Sequence, residues 1–194
     1  MSGEGHIEFY LHIRVLISLV LGLGLTRLLT GISKLIQHPD RQKIYPTHLI
    51  WVAILILTIM NFWWWEFALI RLNWNFALFA FVLLYAFLFF LLASLLFPED
   101  MTDYSGFEDY FLSRRRWFFG LLGLTLVADF IDTAVKGGPY LEALGIEYMV
   151  RIPVAIILCV TAAVIENRRF QLAFALLYLA YTISWIVRVY WQVN

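Results

Sequence analysis

Long apolar runs separated by short polar connections make up most of this chain. A helix needs about 20 apolar residues to cross the hydrocarbon core of a bilayer, and six runs come close to or exceed that length. We predict helices at residues 7–36, 49–70, 76–97, 117–136, 148–166 and 170–191. The pattern therefore predicts an all-α integral membrane protein, a six-transmembrane-helix bundle in which residues 1–194 form a single transmembrane domain.

The longest polar connection, residues 98–116, has features of a short interfacial helix. Ser105 precedes Glu108 with the spacing of a capping box, and acidic residues come before basic ones, which suits the helix dipole. The segment closes on a basic cluster, Arg114, Arg115 and Arg116. We predict that this helix lies on the cytoplasmic surface, where the cluster anchors it or contacts a partner.

Composition supports a membrane protein and excludes several other classes. Hydrophobic residues make up 62% of the chain and charged residues 14%, whereas a soluble domain carries about 25% charged residues. The formal net charge is zero, which gives no reason to expect a nucleic-acid partner. We read the first apolar run as a retained helix, because it lacks a basic leader and a clear small-residue cleavage site.

The distribution of Lys and Arg predicts the orientation of the chain. Most of these residues flank the connections after the first, third and fifth predicted helices: Lys34, Arg41, Lys43, Arg114, Arg115, Arg116, Arg168 and Arg169. The opposite side offers Arg71 and Lys136. The positive-inside rule then places both termini outside the cytoplasm, in a multi-pass protein of the inner or plasma membrane.

Two carboxylates within a predicted span are the most unusual feature of the sequence. Asp129 and Asp132 are three residues apart and share one face of a helix. Each carboxylate costs about 2.5–3.5 kcal/mol at the centre of a bilayer on insertion scales. A cation on another helix, water in a cavity, or protonation must therefore offset that cost.

Further charged residues are predicted to lie at a similar depth, in the outer half of the membrane. At about 1.5 Å of rise per residue, an outer-half cluster forms from Arg14, Glu66, Asp129, Asp132, Arg151 and Arg188. We expect Asp132 to pair with Arg151, because their helices are consecutive and their depths match. At the inner side, we expect Arg27 to pair with Glu166.

Short matches between the two halves of the chain suggest an internal repeat. The segment 24–26 (Gly-Leu-Thr) recurs at 123–125, and Glu66 recurs as Glu166 near the end of the second helix of its half. Two three-helix halves would be inverted relative to each other, as in many transporters. We keep the two inverted three-helix halves as a hypothesis, since such short apolar matches also arise by chance.

The sequence offers no signature of an enzyme. The four histidines lack the spacing of zinc or haem ligands; they are His6, His12, His38 and His48. An intramembrane aspartyl site needs carboxylates that face each other, normally from different segments, and Asp129 and Asp132 lie on one helix. We therefore expect no catalytic site, no metal and no cofactor.

Two functions are favoured over a third, a small membrane enzyme, which would need a nucleophile or a metal site. The first is a small oligomeric channel or transporter that uses the outer-half charge cluster to pass an ion or a small polar solute. The alternative is an accessory or scaffolding subunit of a larger membrane complex, in which the same charges form structural ion pairs. Charges on five of the six predicted helices favour the first, because a scaffold has less need for a polar interior.

Overall fold

The computed structural model describes residues 3–41 and 43–191, and within these residues the chain is helical with no strand. The α-helices are α1 Gly3–Gln37, α2 Pro46–Trp65, α3 Phe76–Leu96, α4 Phe107–Val135, α5 Gly138–Val164 and α6 Arg168–Trp191. All six are long and apolar enough to cross a membrane. The prediction of an all-α, multi-pass membrane protein is thus supported, whereas the two inverted halves stay a prediction.

Local sequence signals explain where the helices begin. α2 starts at Pro46, whose fixed φ and missing N–H suit the first turn of a helix. The side chain of Asn75 accepts a hydrogen bond of 2.8 Å from the N–H of Leu78 and so caps α3. At its other end α2 passes into a 3₁₀ segment, Glu66–Arg71, which turns Glu66 into the bundle.

The prediction of a separate interfacial helix at residues 98–116 is wrong. Residues 98–106 form a loop, and residues 107–116 are the first turns of α4. At 1.5 Å per residue, the 29 residues of α4 span about 43 Å, against about 30 Å of hydrocarbon. Residues 107–116 are therefore an extension of the membrane helix and not an independent element.

α5 begins ten residues before the predicted start at residue 148 and contains a break. Gly145 has φ +71° and ψ −177°, a conformation that interrupts the helix. The helix therefore consists of a short first piece, residues 138–144, and a long second piece. Leu144 and Tyr140 of the first piece lie over the charged cavity described below.

The helices pack around α2 and α4. α4 packs mainly against α5 and α3, α1 packs against α3, and α2 lies against α6 while also touching α1, α3 and α4. The rings of Trp51, Phe118, Phe119, Phe174 and Tyr178 form one cluster, which we call the aromatic plug. Each of the other four ring centroids lies 5.3–5.4 Å from that of Trp51, a distance typical of aromatic packing.

The bundle has two distinct ends. At the terminal end, α1 starts, α2 and α4 end, and α5 starts, as the contact between Lys136 and Glu66 illustrates. At the loop end lie the connections around residues 38–45, 97–106 and 165–167. Large apolar side chains on every helix point away from the bundle between these ends, which suits a surface covered by lipid.

Candidate functional site

Lys136 organises a closed group of charges at the terminal end. Its Nζ lies 2.5 Å from Oδ2 of Asp132, one turn earlier on α4, and 3.3 Å from Oε1 of Glu66 at the end of α2. Only 3% of the Lys136 side chain is exposed, and 6% of each carboxylate side chain. We call these three residues the Lys136 triad; its tight burial makes it a well-enclosed ion-pair network.

Asp129 and Arg151 form a second pair that is much more open. Nη2 of Arg151 lies 3.2 Å from Oδ2 of Asp129, joining α5 to α4. Of the Asp129 side chain 33% is accessible, and of the Arg151 side chain 24%. This open pair lies about 9 Å, or six residues, from the end of α4 at Val135. A charged pair at that depth with accessible atoms faces an open space inside the bundle.

Neighbouring side chains hold the open pair in position. The hydroxyl of Tyr148 lies 3.1 Å from Oδ2 of Asp129 and 2.8 Å from the hydroxyl oxygen of Thr133. The guanidinium of Arg151 stacks on the ring of Trp185, 4.9 Å from its centroid. α4, α5 and α6 thus all contribute to the orientation of this pair.

Two small cavities meet at the open pair, and we call them together the paired cavity. One has a volume of about 80 Å³ and reaches the Lys136 triad, and the other has a volume of about 90 Å³ and reaches Tyr178. Their shared lining consists of Thr58, Asn61, Tyr85, Phe89, Asp129, Arg151 and Trp185. Since roughly 10–15 Å³ of such space accommodates one water molecule, each cavity has room for several waters or a small solute.

The paired cavity is lined by more carboxylates than cations. Among the described residues, three carboxylates line it against two cations, Lys136 and Arg151. Oε2 of Glu66 is buried and has no hydrogen-bond partner within the described part of the chain. Burying an unpartnered charge is expensive, so the arrangement calls for one further proton or cation.

The aromatic plug lies below the paired cavity on the side of the loop end. Tyr178 belongs to both, since it lines the second cavity and packs against Trp51. The rings of the plug are buried or partly buried, and Trp51 is 1% exposed. A solute in the paired cavity would meet packed aromatic side chains before it reached the loop end.

The predicted pairing of Asp132 with Arg151 is wrong. Arg151 contacts Asp129, and Asp132 contacts Lys136. Asp132 lies about 4.5 Å further along α4 than Asp129, and there Lys136 follows it by one helical turn. Lys136 lies four residues after Asp132, and this i, i+4 spacing is the sequence signal that identifies the pair.

Two predicted members of the cluster lie elsewhere. The guanidinium of Arg14 stacks on the rings of Phe67 and Trp63, with centroid distances of 3.9 and 4.6 Å. Arg188 makes a bidentate contact with Glu147, at 2.6 and 2.7 Å. Neither arginine lines the paired cavity. Their positions fit long side chains that reach toward the membrane surface better than members of a buried cluster. Glu147 was not singled out from the sequence.

The predicted pair of Arg27 and Glu166 at the loop end is also wrong. Nη1 of Arg27 lies 3.4 Å from Oε1 of Glu99, in the loop after α3. Glu166 contacts Arg115, with 2.5 Å between Nη2 and Oε1. The physical reason is the packing order, since α1 lies against α3 while α4 lies beside α5.

The basic cluster at residues 114–116 divides between two environments. Arg115 is buried, whereas Arg114 and Arg116 are exposed. Arg114 donates to the hydroxyl of Tyr104 at 2.7 Å. The role of this cluster as a cytoplasmic anchor or partner contact stays a prediction.

His48 is buried in an aromatic pocket at the loop end. Its Nε2 lies 2.6 Å from the carbonyl oxygen of Leu96, and its ring stacks on Phe107 with centroids 4.6 Å apart. Among residues 3–41 and 43–191, no group of three His, Cys, Asp or Glu is placed to hold a metal ion. The paired cavity is therefore the site with the most distinctive chemistry in the described chain.

Comparisons with known protein families, with curated proteins and with solved structures find no match for this chain. What the protein does is therefore inferred from the residues around the paired cavity.

Proposed function

We propose that this multi-pass membrane protein is a small transporter that binds a cation or a protonated solute in the paired cavity, at Asp129. The observation that carries this proposal is the accessibility of the open pair. A third of the Asp129 side chain faces open space, although it lies well inside a bundle of apolar helices. Ionisable groups in such places mark substrate or ion pathways more often than not.

The contrast with the Lys136 triad separates this proposal from a purely structural role. Ion pairs that fix the order of helices gain from close packing and full hydrogen bonding. The Lys136 triad has the close packing, with side-chain exposures of 3–6%, although Oε2 of Glu66 has no hydrogen-bond partner within the described residues. The open pair borders empty space and leaves much of both side chains accessible, as a binding site requires.

The charge of the cavity indicates the sign of the substrate. Among the described residues, three carboxylates line the cavity against two cations. Arg151 contacts Asp129, and a third of the Asp129 side chain stays accessible to a further positive group. A cation or a proton would offset the surplus of carboxylates, whereas an anion would raise the imbalance. The proposal therefore favours cationic substrates, or neutral solutes that are carried together with a proton.

The aromatic plug supports a transporter over a permanently open channel. An open channel needs a continuous polar path, but the paired cavity ends at Tyr178 and the plug. Transport to the loop end would require α2, α4 and α6 to move apart around the plug. We expect the protein to act as a homo-oligomer, since one bundle of this size encloses little space, and to lie in the inner or plasma membrane with its terminal end away from the cytoplasm.

The accessory-subunit alternative attributes both charge groups to architecture. It accounts well for the Lys136 triad and less well for the accessible Asp129. Under that alternative, removing the charge at Asp129 would change stability or assembly and leave no transport activity to lose.

A flux measurement with purified protein in liposomes tests the proposal. Uptake of protons and of small ammonium ions is compared for the unchanged protein and for Asp129→Asn, which keeps the size of the side chain. Asp103→Asn is the matched control, because Asp103 is exposed in the loop at the other end. We expect flux in the unchanged protein and the control and a loss of about tenfold or more in Asp129→Asn, as for removal of a charged binding group. Equal flux in folded Asp129→Asn would contradict the proposed role.

A further inference from the structure

A groove on the lipid-facing side of the bundle lies next to the paired cavity. It has a volume of about 600 Å³ and runs between α1 and α2 with a contribution from α6. Leu21, Leu25, Leu57, Met60 and Ile186 provide much of its apolar lining. We call it the lateral groove. Its walls suit an alkyl chain, as does its position on the surface that faces lipid.

The lateral groove and the paired cavity share part of their walls. Asn61 lines the groove and both cavities, and Ile186 lines the groove and the second cavity. Asp129 of α4 lines that same second cavity. The lateral groove and the acidic site are therefore neighbours. The side chains of Asn61 from α2 and Ile186 from α6 lie between them.

Gly22 keeps the lateral groove open. A Cβ built on Gly22 would have no atom within 4 Å, so this glycine is not required by close packing of helices. Gly24, one half-turn later, differs because its Cβ would lie 3.5 Å from the Phe90 backbone of α3. The space beside Gly22 is thus room for something other than the chain's own helices.

We propose that the substrate is an amphiphilic amine, with its ammonium head at Asp129 and its alkyl tail in the lateral groove. This inference rests on the proposed function and specifies the class of its substrate. The accessible carboxylate of Asp129 is complementary to a positively charged head, and the apolar groove is complementary to the tail. The substrate would enter from the bilayer, passing between Asn61 and Ile186, and would not cross the aromatic plug to bind.

The experiment compares two soluble amines of different tail length, ethylammonium and hexylammonium. Their binding to the full-length protein in nanodiscs of zwitterionic lipid is measured by calorimetry, with empty nanodiscs subtracted. The variants are Asp129→Asn, which removes the proposed head site, and Gly22→Phe, which fills the groove. Gly120→Phe is the matched control, because a Cβ on Gly120 also meets no atom within 4 Å but lies on α4, away from the groove.

We expect hexylammonium to bind about tenfold or more tightly than ethylammonium, since each buried CH₂ strengthens binding several-fold. Gly22→Phe should remove that difference and leave ethylammonium unchanged, Gly120→Phe should preserve it, and Asp129→Asn should weaken both amines.

Equal affinities of the two amines in the unchanged protein would overturn the inference. If ethylammonium still bound in an Asp129-dependent way, the proposed function would survive with a small cation as its substrate. If hexylammonium binding persisted in Asp129→Asn, the groove would be a site for lipid tails alone. That result would also contradict the inference that the substrate is an amphiphilic amine. A tail-length gain retained in Gly22→Phe would place the tail outside the groove and contradict the assignment.

Discussion

At the scale of single residues, the charges inside this bundle are of two kinds. Glu66, Asp132 and Lys136 are tightly enclosed by each other, while Asp129 and Arg151 face open space. The closed group joins the ends of α2 and α4, and under the proposed function the open pair binds the solute. The same residue types therefore have different surroundings, and the local packing decides which.

Lys136→Met should strongly destabilise the protein. The substitution keeps most of the side-chain volume but leaves Glu66 and Asp132 buried without their cation, which typically costs about 3–5 kcal/mol. The check is the free energy of unfolding in mixed detergent micelles. Arg188→Gln is the control: its contact with Glu147 is half-exposed, so we expect little change. Equal effects of the two substitutions would contradict the distinction between buried and exposed pairs.

The sequence predicted that charges would converge, but not which of them pair. Hydropathy and helical rise placed Glu66, Asp129 and Arg151 at one end of the bundle, and all three line the same cavity. Depth alone does not specify the direction in which a side chain points around its helix axis. That direction brought Arg151 to Asp129, and it turned Arg14 toward two aromatic rings instead of the cavity.

At the scale of elements, α5 is the helix whose form matters most for the site. Its short first piece, residues 138–144, covers the paired cavity, and its second piece carries Tyr148 and Arg151. The break at Gly145 sets the angle between the first piece and the second. The Gly137-Gly138 pair comes directly before the first piece, and glycine pairs interrupt helices.

Gly145→Ala should destabilise the protein through the backbone alone. A φ of +71° with an extended ψ is a region used almost only by glycine, and occupying it with alanine costs about 1–3 kcal/mol. A Cβ at this position would meet no atom within 4 Å, so steric overlap is not the cause. Gly123→Ala is the control, since it also has open space but lies in regular helix, and it should stabilise α4 by roughly 0.5–1 kcal/mol. Thermal unfolding of both variants checks the prediction; an unaffected Gly145→Ala would show that the break is not required.

The glycines of α1 show that sequence alone does not identify which glycines pack against another helix. Glycine within an apolar helix favours close helix contact, and this holds for Gly24 and Gly31 against α3, where a Cβ on Gly31 would overlap the ring of Phe97. It does not hold for Gly22, which borders the lateral groove. A glycine that packs against a helix can be told from one that borders open space only when the neighbouring helix is known.

At the scale of the whole molecule, the paired cavity lies toward the terminal end and the aromatic plug closes the bundle toward the loop end. Such an asymmetric interior is what a transporter in one of its end states would have. The number of membrane helices was predictable, because length and hydropathy alone determine it. The lateral order was not, because a helix such as α3 is apolar on every side and its sequence does not indicate which face meets α1.

We infer that the paired cavity is an open site that attracts cations. A reagent dissolved in water should then reach Thr58, which lines both cavities. In a chain with Cys159→Ser, the variant Thr58→Cys is treated in nanodiscs with a cationic and an anionic water-soluble thiosulfonate. Leu84→Cys serves as the control, because Leu84 is exposed on the outer surface of the apolar helix α3. We predict labelling of Thr58→Cys about tenfold or more faster by the cationic reagent, with no labelling of Leu84→Cys. Absence of labelling at position 58, or equal rates for the two reagents, would contradict the claim.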